Sequence, residues 1–434
     1  MRHRASSGAH GDGLLRNVLR RQYLQGFLVL CLIAVVLLYF EMFKLSSVLT
    51  TSSHPLANAD SYHPSHRATL RTEREKEAQK TPSIAVLLTH YRDSEECAAT
   101  LTSLFTNAQF PSALHLYVFE EVALDDYSLT CIQILCEHSR SLCEQHRAKR
   151  ITFKRRHAAD HVGPSPARRI VETMLPPSHG HEYYLSITTR LEFIPRWDTS
   201  LIAQWTSIGN PKAILSFAPP SVRVKSWPVD PSQQSILCTG RITSKDANIA
   251  LVAFNHPVLI KESRGAVPRL VSQYSEDFHF GPVRALAAAP SDSKAEFVWE
   301  GLAYYRATRW WTRGYDFYSP SIDVVYERYT PRPTHPLQAS PFAESMKSLH
   351  VLQERQRSSF YRIRRVLGFN PNEVPARQDA AFTVGTARTI EQWVKFSGVD
   401  PRAEFDASTD KQFKNCKALV RVPPPTTTTG TSDD

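Results

Sequence analysis

Residues 182–198 read EYYLSITTRLEFIPRWD, and this stretch sets the frame of the fold. Its first part, Tyr183 to Ile187, is a short apolar run that predicts a buried strand. The run ends at the polar turn Thr188-Thr189-Arg190, after which apolar residues resume and continue to Trp197-Asp198. A buried strand that stops at polar residues is typical of the sheet edge where α/β proteins collect their functional side chains.

Two similar apolar runs precede this strand. Ser83 to Asp93 reads SIAVLLTHYRD and is followed by a helical pattern that includes Leu101 and Leu104. The second run, Leu114 to Val122, follows the breaker Pro111. Strand, helix and strand at this spacing predict an α/β domain with a parallel sheet.

The carboxyl ends of parallel strands lie at one edge of a sheet, and ligands bind beyond that edge. The rule points to three groups of residues: His90 to Asp93, Glu120 with Glu121, and Thr188 to Arg190. Later in the chain the pattern predicts two short strands and an amphipathic helix, at Ala213 to Phe217, Asn248 to Phe254 and Leu349 to Val366.

The composition is that of a globular protein. Of 434 residues, 42% are hydrophobic and 10% aromatic, which is enough for a sizeable core in one large domain or two ordinary ones. The formal net charge of +10 raises the question of a nucleic-acid partner. Lys and Arg are nevertheless scattered, with no basic run interleaved with aromatic residues, so we expect no nucleic acid.

The N-terminal region predicts a membrane anchor. Phe27 to Phe40 is apolar and uncharged, and with its flanks it approaches the roughly 20 residues that span a bilayer. Five arginines and a single acidic residue, Asp12, precede it, which predicts a cytosolic N-terminus and a lumenal remainder. A cleaved signal peptide is the alternative, but no good small-x-small site closely follows the apolar block.

The chain is therefore expected to be a single-pass type II membrane protein. Its predicted segments are a cytosolic tail (1–22), a signal-anchor helix (23–43), a stem (44–80), an α/β domain (81–405) and a low-complexity tail (406–434). The stem is assigned because this stretch is rich in Ser, Thr, His and charge and has little periodicity.

Six cysteines follow the predicted anchor, and Cys31 lies within it. The six are Cys97, Cys131, Cys136, Cys143, Cys238 and Cys416. An even number in an oxidising compartment permits disulfides, but the fifteen possible pairings cannot be told apart from the sequence. Zinc binding by Cys131, Cys136 and Cys143 is the alternative, although their spacing is not CxxC and no His pair lies at zinc-finger spacing.

Eight short blocks between about Ser83 and Asp400 follow one another in the order of a known family. They are His90 to Asp93, Gly163 to Arg168, Tyr183 to Asp198, Phe278 to Phe280, Pro290 to Asp292, Trp299 to Gly301, Trp311 to Pro320 and Phe382 to Asp400. In this order they resemble the GlcNAc-transferase-type glycosyltransferases, which include polypeptide α-GlcNAc transferases acting on hydroxyproline or threonine. The resemblance implies a GT-A-like α/β domain that transfers GlcNAc from UDP-GlcNAc to a protein hydroxyl with retention of configuration.

Three positions depart from the family pattern. The family's acid-x-His at the strand end is Thr188-Thr189-Arg190 here, and the second Glu of its Gly-Glu-Glu is Gly301. Its later His corresponds to Glu327 or Arg328. A Thr hydroxyl is neutral and an Arg is permanently cationic, so this turn does not hold Mn²⁺ or Mg²⁺ in the family's way. We therefore expect transfer without a bound metal, with Arg190 supplying positive charge to the diphosphate.

The resemblance and the sheet-edge rule together predict a donor site of Tyr91, Arg92, Asp93, Arg168, Thr188 and Arg190. Tyr91 would stack on the base, Asp93 would hold the uridine or ribose, and Arg168 lies in a helical run whose first turn can meet phosphate. Three of these residues have a structural alternative. Asp93 would be a helix N-cap, Arg168 a helix-surface charge, and Arg190 a solvated side chain or the partner of Glu192.

The predicted catalytic residues are Glu300 and Arg190. Glu300 is the remaining carboxylate of the family's pair and would act as a base or orient the acceptor, or else stabilise a helix dipole as a first-turn acid. Trp311, Tyr315 and Asp316 are predicted on the acceptor side, with core packing as the alternative for the aromatic residues.

The expected function is that of a glycosyltransferase of the Golgi or endoplasmic reticulum membrane with its catalytic domain in the lumen. Its partners would be UDP-GlcNAc, a protein or glycoprotein acceptor, and the membrane. The loss of the family's ligands leaves a second hypothesis open, a catalytically inactive homologue that acts as a scaffold or binding subunit. A disulfide-rich adhesin needs no site at all, and the ordered blocks argue against it.

Overall fold

The structure, a computed structural model, describes residues 81–123, 129–147, 150–176, 180–222, 234–261, 265, 267–328, 349–369 and 381–424. The chain forms two compact units, Met1–Glu73 and Arg74–Asp434, and every described residue belongs to the second. The predicted cytosolic tail, anchor and stem lie outside the described residues. Of the helices in these ranges, none is both long and apolar enough to cross a bilayer.

Strands and helices alternate through the first half of the second unit, and short strands follow. The described strands are β1 (Ile84–Tyr91), β2 (Leu114–Val122), β3 (Ile151–His157), β4 (Tyr183–Ile187), β5 (Leu191–Phe193), β6 (Ala213–Ser216), β7 (Gln234–Ile236), β8 (Thr239–Ile242), β9 (Val252–Phe254), β10 (Val258–Ile260), β11 (Arg269–Val271), β12 (Phe278–Pro282), β13 (Asp316–Ser319), β14 (Val325–Glu327) and β15 (Phe413–Lys414). The described helices are α1 (Ser94–Asn107), α2 (Cys131–His138), α3 (Arg140–Arg147), α4 (Pro164–Glu172), α5 (Trp197–Ser207), α6 (Arg284–Ala288), α7 (Leu302–Thr312), α8 (Leu349–Val366) and α9 (Ile390–Ser397).

Eight strands form one central sheet in the order β11-β13-β6-β12-β4-β1-β2-β3. β1 pairs in parallel with β2 on one side and with β4 on the other, so the predicted α/β class is confirmed. β12 runs antiparallel between β4 and β6, and Phe278 at its start pairs with Ile187 at the end of β4. The sheet is therefore mixed rather than parallel, because the aromatic strand β12 runs in the opposite direction to its neighbours.

Alternating side chains of the strands supply two apolar layers. On β1, Ala85 and Leu87 face one layer, whereas Val86 and Leu88 face the other. Side chains of α4, α7 and α9 complete the first layer, and side chains of α1 and α5 complete the second. Both faces of the sheet are covered, which is why the strands read as continuous apolar runs in the sequence.

Strand and helix predictions succeed where the apolar pattern is strong. The predicted strand Tyr183–Ile187 and the predicted helix Leu349–Val366 have the same bounds in the structure. The predicted strand Asn248 to Phe254 contains only the shorter β9, because its first residues follow a turn in which Asn248 N donates to Asp246. The sequence analysis did not identify β3, whose residues ITFKRRH are partly exposed at the edge of the sheet.

All six cysteines after the predicted anchor form disulfides, which are Cys97–Cys131, Cys136–Cys143 and Cys238–Cys416. The first joins α1 to α2, and the second joins α2 to α3. The third joins residues beside β8 and β15 across 178 positions of sequence. The zinc alternative for Cys131, Cys136 and Cys143 is wrong, because each of these sulfurs is bonded to another sulfur.

Asp198, in the first turn of α5, holds a loop in place. Its two carboxylate oxygens accept hydrogen bonds from the backbone N–H groups of Gln109 and Phe110, each at 2.8 Å. Because the carboxylate is buried, both amides would lose their acceptor if it were removed. The sequence pattern assigns Asp198 to a turn or cap first, and the structure gives it the related task of fixing the chain that leaves α1.

Replacing Asp198 by Ala should lower the free energy of unfolding by about 2–4 kcal/mol, since two buried amide groups would be left without an acceptor. Urea unfolding of the purified protein measures this loss. Asp410→Ala is the matched control, because the Asp410 side chain is exposed and its described hydrogen bond involves only its backbone oxygen. Equal midpoints for the two variants would contradict the structural role of Asp198.

Candidate functional site

The ends of the parallel strands β1 to β4 and the start of β12 meet at one edge of the central sheet. We call this the carboxyl edge, and it comprises residues 90–93, 120–122, 155–157, 188–190 and 276–277. Backbone hydrogen bonds tie its parts together, since Arg92 N donates to Glu121 O at 2.9 Å and Thr188 N donates to Asp277 O at 3.2 Å. The three groups predicted from the sheet-edge rule therefore lie together.

A depression of about 460 Å³ opens at the carboxyl edge where β1 and β2 end and α1 begins. It is lined by Arg92, Asp93, Ser94, Glu95, Val122, Ala123, Leu129 and Ile134. Two predicted donor-site residues, Arg92 and Asp93, thus contribute to the wall of a cavity. Crevices outside strand ends are where open α/β sheets bind their ligands.

Asp93 joins the end of β1 to the end of β4. Its carbonyl oxygen accepts from Cys97 N at 2.9 Å, but its carboxylate makes no helix-capping hydrogen bond. Instead, Thr189 Oγ1 donates to Asp93 Oδ2 at 2.6 Å, and Arg190 Nε lies 3.5 Å from the same oxygen. Asp93 is thus the N-cap residue of α1, but its carboxylate contacts the second predicted donor segment instead of capping the helix.

Arg92 and Arg190 both adopt left-handed backbone conformations, with φ of 50° and 70°. Non-glycine residues rarely adopt this region, and each instance costs on the order of 1 kcal/mol or more. Such turns persist only where the surrounding structure holds them, and they cluster at ligand sites. The two strained arginines therefore mark this part of the carboxyl edge as the candidate functional site.

Arg328 lies directly beside Arg190. Its backbone N donates to Arg190 O at 2.9 Å, and its guanidinium pairs with Glu96 at 2.9 Å. Two of the three positions that depart from the family pattern, the turn at Thr188 to Arg190 and Glu327 or Arg328, thus lie side by side. We call Thr188, Arg190 and Arg328 the cation corner. These residues do not fit Mn²⁺ or Mg²⁺, which require several oxygen ligands, because only the Thr188 side chain offers an oxygen.

Arg168 reaches the carboxyl edge from α4. Its Nη1 lies 2.8 Å from Glu276 Oε2, and both side chains are largely buried. Burial alone would raise the pKa of Glu276, but Arg168 and Arg306 outweigh that effect and lower the pKa below its ordinary value. Glu276 is therefore ionised and neutralises Arg168. The sequence analysis missed Glu276 and Asp277, although polar residues directly before the aromatic strand at Phe278 are a signal for them.

Glu120, near the end of β2, is buried and paired. It accepts hydrogen bonds from Arg155 Nε at 2.6 Å and from Cys131 N at 2.9 Å, and His90 Nε2 lies 3.4 Å away. Burial alone would raise the pKa of Glu120, but His90 and Arg155 outweigh it and lower the pKa. His90 also lies near the sulfurs of Cys97 and Cys131, which their disulfide makes unavailable as metal ligands.

The carboxylate of Glu121 also contacts an arginine and a histidine. Arg156 Nε donates to its carboxylate at 3.0 Å, and His161 Nδ1 lies 2.7 Å from it. The His161 ring packs against Tyr91 with ring centroids 4.5 Å apart. Tyr91, predicted to stack on a base, thus already has one aromatic neighbour within the carboxyl edge.

Glu300 lies at the surface and precedes α7. Its side chain is 57% exposed and pairs with Arg241 at 2.8 Å. The helix begins after Gly301, so the expectation of a first-turn acid is wrong. Gly301 has φ of 88°, and a Cβ there would lie 2.8 Å from Leu251 Cβ. A second glutamate at position 301 does not fit this packing, since Leu251 fills the space.

The residues predicted on the acceptor side lie in the core. Trp311 is fully buried and stacks on Phe396, and Tyr315 is only 4% exposed. Asp316 is buried and pairs with Arg388 at 2.8 Å. An acceptor-facing surface made by these residues is therefore not present in this structure, and the packing alternative describes the two aromatic residues.

The described residues thus form a mixed α/β sheet whose polar and charged residues gather at the carboxyl edge. The sequence model of the family described as "Glycosyltransferase (GlcNAc)" matches residues 128–403. The chain belongs to this GlcNAc glycosyltransferase family. Comparison with curated protein sequences gives no match.

Several solved glycosyltransferase structures are similar to this chain. GalNAc-T7 with UDP, GalNAc and Mn²⁺ has a TM-score of 0.43 and 8% identity, with coverage of 66% of this chain and 49% of that one. S. aureus TarS 1-349 in complex with UDP-GlcNAc has a TM-score of 0.37 and 11% identity, over 69% and 78% of the two chains. The mannosyltransferase PcManGT from Pyrobaculum calidifontis, in complex with GDP-Man and Mn²⁺, has a TM-score of 0.36 and 13% identity, over 76% and 91%. This chain thus spans about half the length of the GalNAc-T7 structure.

Gly301→Ala should destabilise the protein more than Gly209→Ala. Both glycines have positive φ, so both variants lose roughly 1 kcal/mol to backbone strain. Only the alanine at 301 would meet Leu251, and such overpacking adds about 1–3 kcal/mol, whereas nothing lies within 4 Å of a Cβ at 209. Urea unfolding of the two variants measures the difference. Equal stability would show that Leu251 leaves room for a side chain at 301.

Proposed function

We propose that this protein transfers GlcNAc from UDP-GlcNAc to a hydroxyl group of a protein or glycoprotein, with retention of configuration and without a metal ion. The observation that carries the proposal is the cation corner. There, Arg190 stands at a position where the resembling family carries a ligand for a divalent cation, and Glu327 or Arg328 stands where it carries its later His. The proposed donor and acceptor follow from the family to which the chain belongs.

The chemistry of transfer requires positive charge near the leaving group. A UDP leaving group develops negative charge on its diphosphate, and fixed cations nearby stabilise that charge. Arg190 and Arg328 would do so with bidentate, charge-assisted hydrogen bonds to phosphate oxygens. Arg168 lies at the same edge, but its ion pair with Glu276 leaves little net positive charge there.

The nucleoside would lie in the depression beside β1 and β2. Asp93 is on its wall and would accept hydrogen bonds from ribose hydroxyls, while Arg92 flanks the opening. A diphosphate would compete with Asp93 for Arg190, since the two side chains are in contact in this structure. Donor binding would therefore exchange one charged partner of Arg190 for another rather than order a free side chain.

The apolar segment 23–43 would anchor the enzyme in the Golgi or endoplasmic reticulum membrane, with the catalytic domain in the lumen. The three disulfides support a compartment that is oxidising. In that topology the acceptor would be a secretory or membrane protein that passes the anchored domain. Segments 1–22 and 44–80 would serve as cytosolic tail and stem.

A second function is favoured by one specific observation. Arg168, Arg190 and Arg328 each already contact a carboxylate, and Gly301 cannot carry the family's second glutamate without displacing Leu251. These features suit a catalytically inactive homologue that acts as a scaffold or binding subunit. Titration with UDP-GlcNAc separates the two functions, because absence of binding favours the scaffold, whereas binding with product formation excludes it.

Arg190→Ala should weaken UDP binding about 10- to 100-fold, since charge-assisted hydrogen bonds are worth about 1.5–3 kcal/mol. The affinity of Arg190→Lys for UDP should lie between those of wild type and Arg190→Ala, because lysine keeps the positive charge but lacks the planar guanidinium with its paired donors. Arg140→Ala is the control, an exposed arginine on α3 that pairs with Glu144. Isothermal titration with UDP measures all four proteins.

Transfer from UDP-GlcNAc should also continue unchanged in the presence of EDTA. Loss of transfer in EDTA with recovery on adding Mn²⁺ would refute the metal-free reaction. Absence of UDP binding by the wild-type protein would refute the proposed transferase activity and favour the scaffold function.

A further inference from the structure

The carboxyl edge contains five carboxylates, and four of them contact a cationic side chain. The four contacts are Asp93 with Arg190, Glu120 with Arg155, Glu121 with Arg156, and Glu276 with Arg168. Asp277 differs from them. Within the part of the chain that the structure describes, its only side-chain partner is the hydroxyl of Ser275, at 3.3 Å.

The position of Asp277 is fixed by backbone hydrogen bonds. Its N–H donates to Ser275 Oγ at 3.1 Å, and its carbonyl oxygen accepts from Thr188 N at 3.2 Å. Asp277 is therefore held one strand away from the turn that carries Arg190. The next residue, Phe278, is fully buried and starts β12, so the carboxylate stands on a rigid element.

Asp277 lies at the surface of the protein. Its side chain is exposed to solvent, whereas Tyr274 and Phe278 on either side are fully buried. Its carboxylate is thus reached by solvent and contacts no cationic side chain among the described residues. Such a group is open to a ligand that supplies hydrogen bonds.

The charge and number of groups nearby limit what that ligand is. A phosphate would be repelled by the carboxylate. A divalent cation needs several oxygen ligands, and the nearest turn offers a Thr and an Arg. A hydroxyl group needs one acceptor only, and carboxylates accept hydrogen bonds from sugar hydroxyls without any further partner.

We propose that Asp277 accepts a hydrogen bond from a hydroxyl group of the donor sugar and thereby distinguishes a nucleotide sugar from the free nucleotide. The inference rests on the proposed function, because it needs a donor whose diphosphate lies at the cation corner. The sugar is attached to that diphosphate. Asp277 directly precedes the neighbouring strand β12, and among the described residues its carboxylate contacts no cationic side chain.

The test compares the affinities of full-length protein for UDP and for UDP-GlcNAc by isothermal titration. Asp277→Ala should weaken UDP-GlcNAc binding roughly 10- to 100-fold and leave UDP binding unchanged. Asp277→Asn should lose only a few-fold, because its amide oxygen still accepts a weaker hydrogen bond. Asp406→Ala is the matched control, since Asp406 also accepts from a serine hydroxyl but lies outside the carboxyl edge.

Deoxy analogues of UDP-GlcNAc identify the hydroxyl. The analogue that lacks the contacting hydroxyl should bind wild type and Asp277→Ala with equal affinity, whereas the other analogues should still favour wild type. Thermal unfolding of Asp277→Ala should match wild type, because the side chain is exposed.

Three results would overturn the inference. If Asp277→Ala binds UDP-GlcNAc as tightly as wild type, Asp277 does not contact the donor sugar. Slower transfer by that variant would then assign Asp277 to the acceptor hydroxyl. Equal weakening of UDP and UDP-GlcNAc would show that Asp277 acts on the nucleotide or on the fold. If the wild-type protein binds neither ligand, the proposed function fails together with this inference. The first two results, in contrast, overturn only the inference about Asp277.

Discussion

The position of β4 is the constraint on which the rest of the structure depends. It lies between β1, to which it is parallel, and β12, to which it is antiparallel. Because β4 ends where β12 begins, its polar turn meets Asp93 from one neighbour and Asp277 from the other. A register shift of one residue would turn the buried side chains of β4 to the opposite face, so the apolar layers on both sides hold this edge in place.

Most of the carboxylates at the carboxyl edge form ion pairs with arginine side chains. A guanidinium group carries a permanent positive charge and matches the geometry of phosphate oxygens. It would therefore stabilise a bound phosphate without a metal ion. Contacts with Asp93 and Glu96 restrict Arg190 and Arg328 before any ligand arrives. Less side-chain entropy is then lost on binding, although a ligand must compete with the carboxylates.

The blocks that resemble the family serve packing more than chemistry in this chain. Trp311 and Asp316 lie in the core, and the space beside Gly301 is filled by Leu251. The departures from the family pattern concentrate at the carboxyl edge and at the start of α7. This distribution is consistent with the family's fold, because core residues are constrained by volume, whereas residues at the edge of a sheet are not.

The sequence by itself determined the α/β class, the bounds of β4 and α8, and the grouping of strand ends at one edge. These features follow from apolar runs and from the geometry of parallel strands, which are local properties. Only the tertiary structure decided the disulfide pairing, the antiparallel direction of β12 and the arrival of Asp277 beside Thr188. These contacts join residues distant in sequence, and their free energies come from packing and ion pairs that no local pattern encodes.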